Sequence, residues 1–139
     1  MDLPLVGGCL CGAVRYRCAL PTATAGYCHC RSCRRAAGAH AVAWFTIGIG
    51  EYRFDTITPA EFASSPGVRR GHCARCGTTL TYWSARYPDT VDITVASLDD
   101  PALMPPVKHI WMEDAVVGDS GADGLPRFLR SSDGAGAGY

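Results

Sequence analysis

Short segments in which apolar and polar residues alternate recur along most of the chain. The alternation is clearest in AVRYRC at 13–18, and β-branched and aromatic residues are frequent in the later segments. An alternation with a period of two is typical of a strand that has one buried face. We therefore predict strands within residues 13–18, 40–48, 51–57, 79–85, 90–97 and 107–113.

Proline and glycine separate these segments in the turn-forming stretches PTATAG, SSPG, YPDT and DDPALMPP. A long amphipathic helix is not indicated anywhere, and RSCRRAAGA at 31–39 is the best candidate for a short one. The pattern predicts a mainly β fold, a small single domain of several short coiled antiparallel sheets over residues 1–130. The small and polar sequence SSDGAGAGY at 131–139 predicts a flexible C-terminal tail.

Composition limits the chain to one domain and excludes some partners. With 139 residues, 47% apolar and 19% charged, it can bury one core. The formal net charge is zero, so no overall attraction to nucleic acid or to an anionic membrane is expected. The first ten residues lack the basic region and the long apolar run of a signal peptide or a membrane span. We expect a cytoplasmic protein that binds neither nucleic acid nor membranes.

Eight cysteines are the most unusual feature of the composition. In a reducing cytosol, so many in a short chain are more often metal ligands than disulfides. Seven of them fall into three clusters, which are CxC at Cys9 and Cys11, CxCxxC at Cys28, Cys30 and Cys33, and CxxC at Cys73 and Cys76. Cys18 stands alone, and we interpret it as a small buried apolar residue.

The two cysteine pairs predict one closed zinc site. Zinc in structural sites takes four tetrahedral ligands, and a CxC or a CxxC pair supplies two of them. Cys9 and Cys11 can therefore combine with Cys73 and Cys76 in a four-thiolate site that ties the first strand to a distant turn. Such a site stabilises the fold of a small domain that has no disulfides.

The central cluster predicts a second zinc site with an open coordination position. Cys28, Cys30 and Cys33 supply three thiolates, and three protein ligands with an open position are typical of catalytic zinc. In the alternative assignment, Cys33 or His29 completes a four-ligand site and other cysteines stay free. His29 lies between two ligands on an extended segment, so its side chain should point away from the face that the thiols share. This favours a role for His29 outside the ligand set.

Arginines close to the cysteine clusters are candidates for substrate contact. Three thiolates on a divalent ion leave a net charge of about minus one, and three arginines follow directly, Arg31, Arg34 and Arg35. They either offset this charge, lie on a solvated helix face, or bind a substrate carboxylate through two parallel hydrogen bonds. Three further arginines flank the last cysteine pair and are interpreted as surface charges, Arg69, Arg70 and Arg75. His109 is interpreted as a strand histidine rather than a catalytic base.

The order and spacing of five motifs resemble one protein family. GGCLCGAVRY, CHCRSCRR, GHCARCGTTL, SLDDP and DGLPRF are similar to the glutathione-dependent formaldehyde-activating enzyme family, which also contains centromere protein V. The resemblance extends from about Gly7 to Phe128. It implies a zinc-stapled fold related to methionine sulfoxide reductase B. It also implies two zinc ions per chain, a structural one on the two pairs and a catalytic one on the central cluster.

The resemblance also implies a function. The reaction that names the family adds glutathione to formaldehyde and gives S-hydroxymethylglutathione, which is formally carbon–sulfur lyase chemistry. We therefore expect a zinc-dependent lyase that acts on a small thiol, such as glutathione, and a small aldehyde. An open zinc can bind and deprotonate a thiol or polarise an aldehyde oxygen.

Two other classes of function stay open. A non-catalytic zinc-binding module, like the chromatin-associated branch of the family, would need a basic patch, whereas the net charge is zero. A thiol-redox protein would need a reactive cysteine outside the metal sites. The candidate is Cys18, whose strand context offers only Arg15 and Arg17 to activate it.

Overall fold

The fold consists almost entirely of short strands. The structure is a computed structural model that describes residues 2–118 and 123–133. Its strands are β1 (Leu5–Gly8), β2 (Arg15–Cys18), β3 (Ala25–Cys28), β4 (Val42–Gly48), β5 (Tyr52–Phe54), β6 (Ala60–Ser65), β7 (Val68–His72), β8 (Thr79–Ser84), β9 (Thr90–Thr94) and β10 (Pro106–Ile110). One α-helix, α1 (Arg31–Ala37), and three 3-10 turns, Val95–Ser97, Pro101–Leu103 and Met112–Asp114, complete the described elements.

The strands form two sheets, one of seven strands in the order β10-β3-β4-β9-β8-β7-β6 and one of three in the order β1-β2-β5. A cluster of buried side chains from both sheets forms the main core, with Tyr16 of β2 packed in the same cluster as Phe45 of β4 and Leu80 of β8. Phe45 and Leu80 are fully buried. Burying an apolar side chain of this size contributes roughly 1.5–3 kcal/mol.

A second buried cluster lies on the other face of the seven-stranded sheet. Trp44 and Phe45 are successive residues of β4, so their side chains point to opposite faces. Phe45 belongs to the main core, and Trp44 packs with Tyr82 of β8 and with the three central cysteines. The seven-stranded sheet thus separates the apolar core from the face that carries the central cysteine cluster.

The segment 123–133 runs beside β10 and covers one end of this second cluster. The amide of His109 donates to the carbonyl of Pro126 at 2.8 Å, and the amide of Phe128 donates to the carbonyl of His109 at 2.9 Å. The side chain of Phe128 packs against the central cysteine cluster together with Trp111. The C-terminal part of the chain therefore contributes directly to the surroundings of these cysteines.

The structure confirms the mainly β prediction and the short helix. The six segments with clear alternation contain β2, β4, β5, β8 and β9 and all but the first residue of β10, and α1 falls within the predicted 31–39. Four strands were not predicted, β1, β3, β6 and β7. Glycine weakens the apolar pattern in LVGG and AGYC, and β6 exposes almost every side chain, so these segments carry little alternation.

One strand pair differs from the predicted antiparallel arrangement. β10 pairs with β3 in parallel, whereas the other pairings among the named strands are antiparallel. A hairpin forces neighbouring strands to run antiparallel, but β3 and β10 are separated by most of the chain. The direction of β10 is therefore free of this constraint.

The predicted tail at 131–139 is only partly described. Ser131 and Ser132 are half-buried and Asp133 is exposed, while residues 134–139 lie outside the described residues. The domain boundary at 130 stays a prediction. Within the described ranges, no helix is long and apolar enough to cross a membrane.

Candidate metal centres

The two cysteine pairs meet in one four-sulfur cluster. The Sγ atoms of Cys9, Cys11, Cys73 and Cys76 all lie within 4.8 Å of one another. Cys9 and Cys11 are 3.6 Å apart, and Cys11 and Cys73 are 3.8 Å apart, measured between Sγ atoms. A tetrahedral zinc with bonds of about 2.3 Å to sulfur needs sulfur–sulfur distances of about 3.8 Å. The four thiols therefore fit a closed zinc site.

Hydrogen-bond donors around this cluster favour thiolates. The backbone amide of Val14 donates to Cys9 Sγ at 3.2 Å, and the amide of Arg75 donates to Cys73 Sγ at 3.4 Å. The Thr78 hydroxyl lies 3.2 Å from Cys76 Sγ, and its hydrogen bond is the main reason why the pKa of Cys76 falls to about 5. The turn closes at Gly77, whose φ of 80° suits glycine.

The central cluster has three sulfurs and is more deeply buried. Cys28 ends β3, Cys30 precedes α1 and Cys33 lies in its first turn, so a strand end and a helix start bring the thiols together. Their Sγ atoms lie within 4.8 Å of one another, and all three residues are buried. Within the described ranges, no further His, Cys, Asp or Glu ligand atom converges with this group. Its role as a catalytic zinc site stays a prediction.

Hydrogen bonds among the three central thiols favour a thiolate at Cys30. Hydrogen bonds from the Cys28 and Cys33 thiols lower the pKa of Cys30 to about 3, and burial raises the pKa of Cys28. Without a cation, one thiolate is therefore stabilised by two neutral thiols. A bound divalent cation would deprotonate its coordinating thiols, so the donor set fits a metal ion held by all three.

His29 is buried and bonded away from the thiols. Its Nε2 lies 2.8 Å from Nδ1 of His109, and Nε2 of His109 lies 2.7 Å from Oδ2 of Asp123. With Asp123 ionised and His109 neutral, Nε2 of His109 donates to the carboxylate, so its Nδ1 accepts from Nε2–H of His29. His29 is absent from the converging ligand atoms, as its position between two ligands indicated. No sequence motif indicates the contact with His109.

We expect His109→Phe to destabilise the fold by about 1–3 kcal/mol, because it removes the acceptor of a buried N–H. Phenylalanine can keep the stacking of residue 109 on Tyr27, whose ring centroid is 4.9 Å away. The matched control is Asp123→Asn, whose amide oxygen can still accept from His109. Urea unfolding of the three proteins measures the difference. Equal stability of all three would contradict the importance of this hydrogen-bonded chain.

Arg70 is not a surface charge, and that interpretation is wrong. Its side chain is buried, and its Nη1 donates to Cys33 Sγ at 3.5 Å. The neighbouring Arg69 is exposed and lies over the Trp83 ring, 4.6 Å from its centroid. Alternation along β7 places the two arginines on opposite faces. The opposite orientation of these two side chains was not predicted because residues 68–72 were not predicted as a strand.

The three arginines of α1 differ in exposure. Arg31 and Arg35 are exposed, whereas Arg34 is half-buried. Among the described residues, the buried Nε of Arg34 has no hydrogen-bond partner. The indole N–H groups of Trp44 and Trp111, which belong to or pack against the central cluster, are also buried and unpartnered within the described ranges. The two indole groups, and the guanidinium of Arg34 if it faces the same site, can therefore donate to oxygen atoms of a bound ligand.

Comparison with known proteins gives the family. Residues 4–114 match the model of the family described as "Glutathione-dependent formaldehyde-activating enzyme". The chain belongs to this family. All seven clustered cysteines lie within the matched residues. The family resemblance stated from the motifs is thereby confirmed, while the links to methionine sulfoxide reductase B and to centromere protein V stay predictions.

A relative and a solved structure agree with this membership of the glutathione-dependent formaldehyde-activating enzyme family. The relative, from Halomonas elongata, is named "Putative glutathione-dependent formaldehyde-activating enzyme" and is 31% identical over 120 residues, which cover 79% of this chain and 76% of the relative. The crystal structure of a Rhodobacter sphaeroides protein superposes with a TM-score of 0.61 at 20% identity. That match covers 88% of this chain and 98% of the other, and it shows a shared fold.

Proposed function

We propose that this protein is a zinc-dependent enzyme of the carbon–sulfur lyase type that acts on a small thiol and a small aldehyde. One observation supports the proposal above all others. Three buried thiols converge without a fourth ligand in the described part of the chain, whereas a separate cluster has a full set of four. Catalytic zinc keeps an open position, whereas structural zinc does not.

Glutathione and formaldehyde are the proposed substrates, as in the reaction that names the family. The thiol sulfur adds to the carbonyl carbon, a carbon–sulfur bond forms, and the thiol proton ends on the former carbonyl oxygen as S-hydroxymethylglutathione is made. The reverse reaction breaks the same bond. A zinc ion on Cys28, Cys30 and Cys33 would supply Lewis acidity at its open position. The partners proposed for the protein are therefore small molecules.

The surrounding side chains exclude water and orient the substrate in this proposal. Trp44, Tyr82, Trp111 and Phe128 form the apolar wall around the central cysteines. Trp111 has a left-handed backbone, with φ 60° and ψ 39°, which for a bulky residue costs about 1–3 kcal/mol and is typical of functional sites. We assign Arg34 the main contact to a carboxylate of the thiol. Arg31 and Arg35 are more exposed and add positive charge on the same helix.

The function is tested by measuring exchange at equilibrium between a thiol–aldehyde pair and its adduct, because the addition also proceeds without a catalyst. Two-dimensional NMR exchange spectra give the rate for glutathione with formaldehyde and for a panel of other small thiols and aldehydes. We expect the protein to accelerate at least one pair above the rate in buffer. If both metal sites are occupied and no pair is accelerated, the protein is a binding module.

Arg34→Gln is expected to raise KM for glutathione about tenfold, which corresponds to the loss of a hydrogen bond to a charged group worth roughly 1.4 kcal/mol. KM for 2-mercaptoethanol, which has no carboxylate, should stay unchanged. The matched control is Arg35→Gln, one residue along the helix and exposed. Steady-state kinetics with both thiols separate the effects. Equal changes for the two thiols would contradict a carboxylate contact.

A further inference from the structure

Arg70 is a buried cation beside the three-sulfur cluster. Only 6% of the residue is exposed, and its Nη1 lies 3.5 Å from Cys33 Sγ. A buried arginine is rare unless its charge is compensated. The central thiols supply the compensating negative charge, so the residue belongs electrostatically to this cluster.

The guanidinium group is held in place from two further sides. Its Nε donates to the Ser64 hydroxyl at 3.2 Å, and its Cζ lies over the Tyr82 ring, 5.0 Å from the centroid. Ser64 is on the neighbouring strand β6, and Tyr82 is on β8, so three adjacent strands fix the orientation. A side chain fixed in this way loses little entropy when it acts on a ligand.

Among the described residues, no arginine or lysine donates a hydrogen bond to the four-sulfur cluster. Apart from contacts between its own thiols, the hydrogen bonds to its sulfurs come from backbone amides and from the Thr78 hydroxyl. Cys11 is exposed there and Cys76 is half-buried, so water can solvate the charge of four thiolates. All three cysteines of the central cluster are buried from water, so the charge that compensates their thiolates has to come from the protein.

Charge determines which fourth ligand the central site can hold. A divalent ion on three thiolates has a net charge of about minus one. A neutral fourth ligand leaves this charge unchanged, whereas an anionic one makes it about minus two, which is costly in a buried site. The positive charge of Arg70 reduces the magnitude of the negative charge by one in both cases. Its benefit is therefore larger for the anionic ligand.

We propose that Arg70 is a positioning residue that holds the Cys33 thiolate and makes the three-cysteine site selective for an anionic fourth ligand, such as a thiolate, over a neutral one. The inference rests on the proposed function, because it takes Cys28, Cys30 and Cys33 as ligands of one metal ion. A thiol that binds in this way gives its proton to the solvent. Arg70 then determines how strongly the sulfur of the substrate binds.

Ligand titrations of the cobalt-substituted protein test this proposal. Visible absorption of cobalt(II) reports the ligands of the open site, and the probes are 2-mercaptoethanol, which binds as a thiolate, and imidazole, which binds neutral. We expect Arg70→Gln to raise the Kd of 2-mercaptoethanol by about tenfold or more, in the range found for residues that contact a metal ligand. The Kd of imidazole should change by less than about twofold, well below that range. Arg69→Gln is the matched control and should behave as the wild type.

The outcomes separate this proposal from the function on which it rests. If Arg70→Gln weakens both probes equally, or neither, the selectivity assigned to Arg70 is wrong. If the wild-type protein binds no cobalt at the central cluster, the proposed function itself fails. If Arg70→Gln does not fold, Arg70→Met takes its place, because methionine is an unbranched apolar side chain without the charge. It should shift the ratio of the two Kd values in the same direction, and an unchanged ratio would overturn the proposal.

Discussion

Cys33→Ser should reduce the rate of thiol–aldehyde exchange at least about a hundredfold, more than is typical for a residue outside the ligand set. The substitution removes one of the three proposed metal ligands and replaces the sulfur that accepts from Arg70 with a hydroxyl. Sulfur and oxygen differ little in volume, so the fold should persist and Tm should stay within about 5 °C of the wild type. Exchange rates and thermal unfolding of the same preparation test both parts.

A variant of the four-sulfur cluster shows how strongly the loss of a structural ligand lowers Tm, and Cys33→Ser is compared with it. If Cys33→Ser melts as early as a variant of the closed cluster, the central cysteines stabilise the fold and the enzyme interpretation fails. If it keeps the full exchange rate, the central cluster is not the reaction site. Loss of activity with a retained fold is the one combination that the proposed function allows.

Cys73→Ser should destabilise the fold severely. Cys73 is fully buried and its sulfur accepts hydrogen bonds from the backbone amides of Arg75 and Cys76, so it orders the turn as well as the cluster. Zinc binding at a structural site can contribute about 10–16 kcal/mol to folding, and losing one of four ligands removes a large part of it. We expect a protein that is unfolded or melts at least about 15 °C lower. Circular dichroism with and without added zinc measures the effect.

Cys18→Ser is the matched control for this variant. Cys18 is also fully buried, but it lies in the apolar core, and burial raises the pKa of its thiol to about 11. It stays a neutral thiol at ordinary pH, so the control should keep both metal ions and lose only about 1–3 kcal/mol. If Cys18→Ser is as damaging as Cys73→Ser, the loss reflects a polar atom in the core rather than a missing metal ligand.

The cysteine grouping could be predicted from the sequence because it is local. The spacings CxC, CxxC and CxCxxC fix which sulfurs can share an ion, and only the meeting of Cys9 and Cys11 with Cys73 and Cys76 needed the fold. Strands with strong alternation, such as β4 and β8, were also predictable. Glycine in β1 and β3 removed the alternating side chains on which such a prediction depends.

The parts that could not be predicted depend on contacts between distant segments. Arg70 of β7 contacts Cys33 of α1 across 37 residues of sequence, and His29 contacts His109 because β10 pairs with β3 in parallel. Neither contact is indicated by the local sequence. A better strand prediction over 68–72 would have placed Arg69 and Arg70 on opposite faces, but it could not have identified Cys33 as the partner.

We propose that one chain holds two zinc sites of different kinds, one closed and one open. The most direct test is a metal count on the native protein by mass spectrometry, before and after mild chelation, with exchange activity measured on the same samples. We expect two zinc ions per chain before chelation and one afterwards. The chelated protein should have lost its exchange activity and kept its fold. A single zinc from the start, or the loss of both ions together with the fold, would contradict the account.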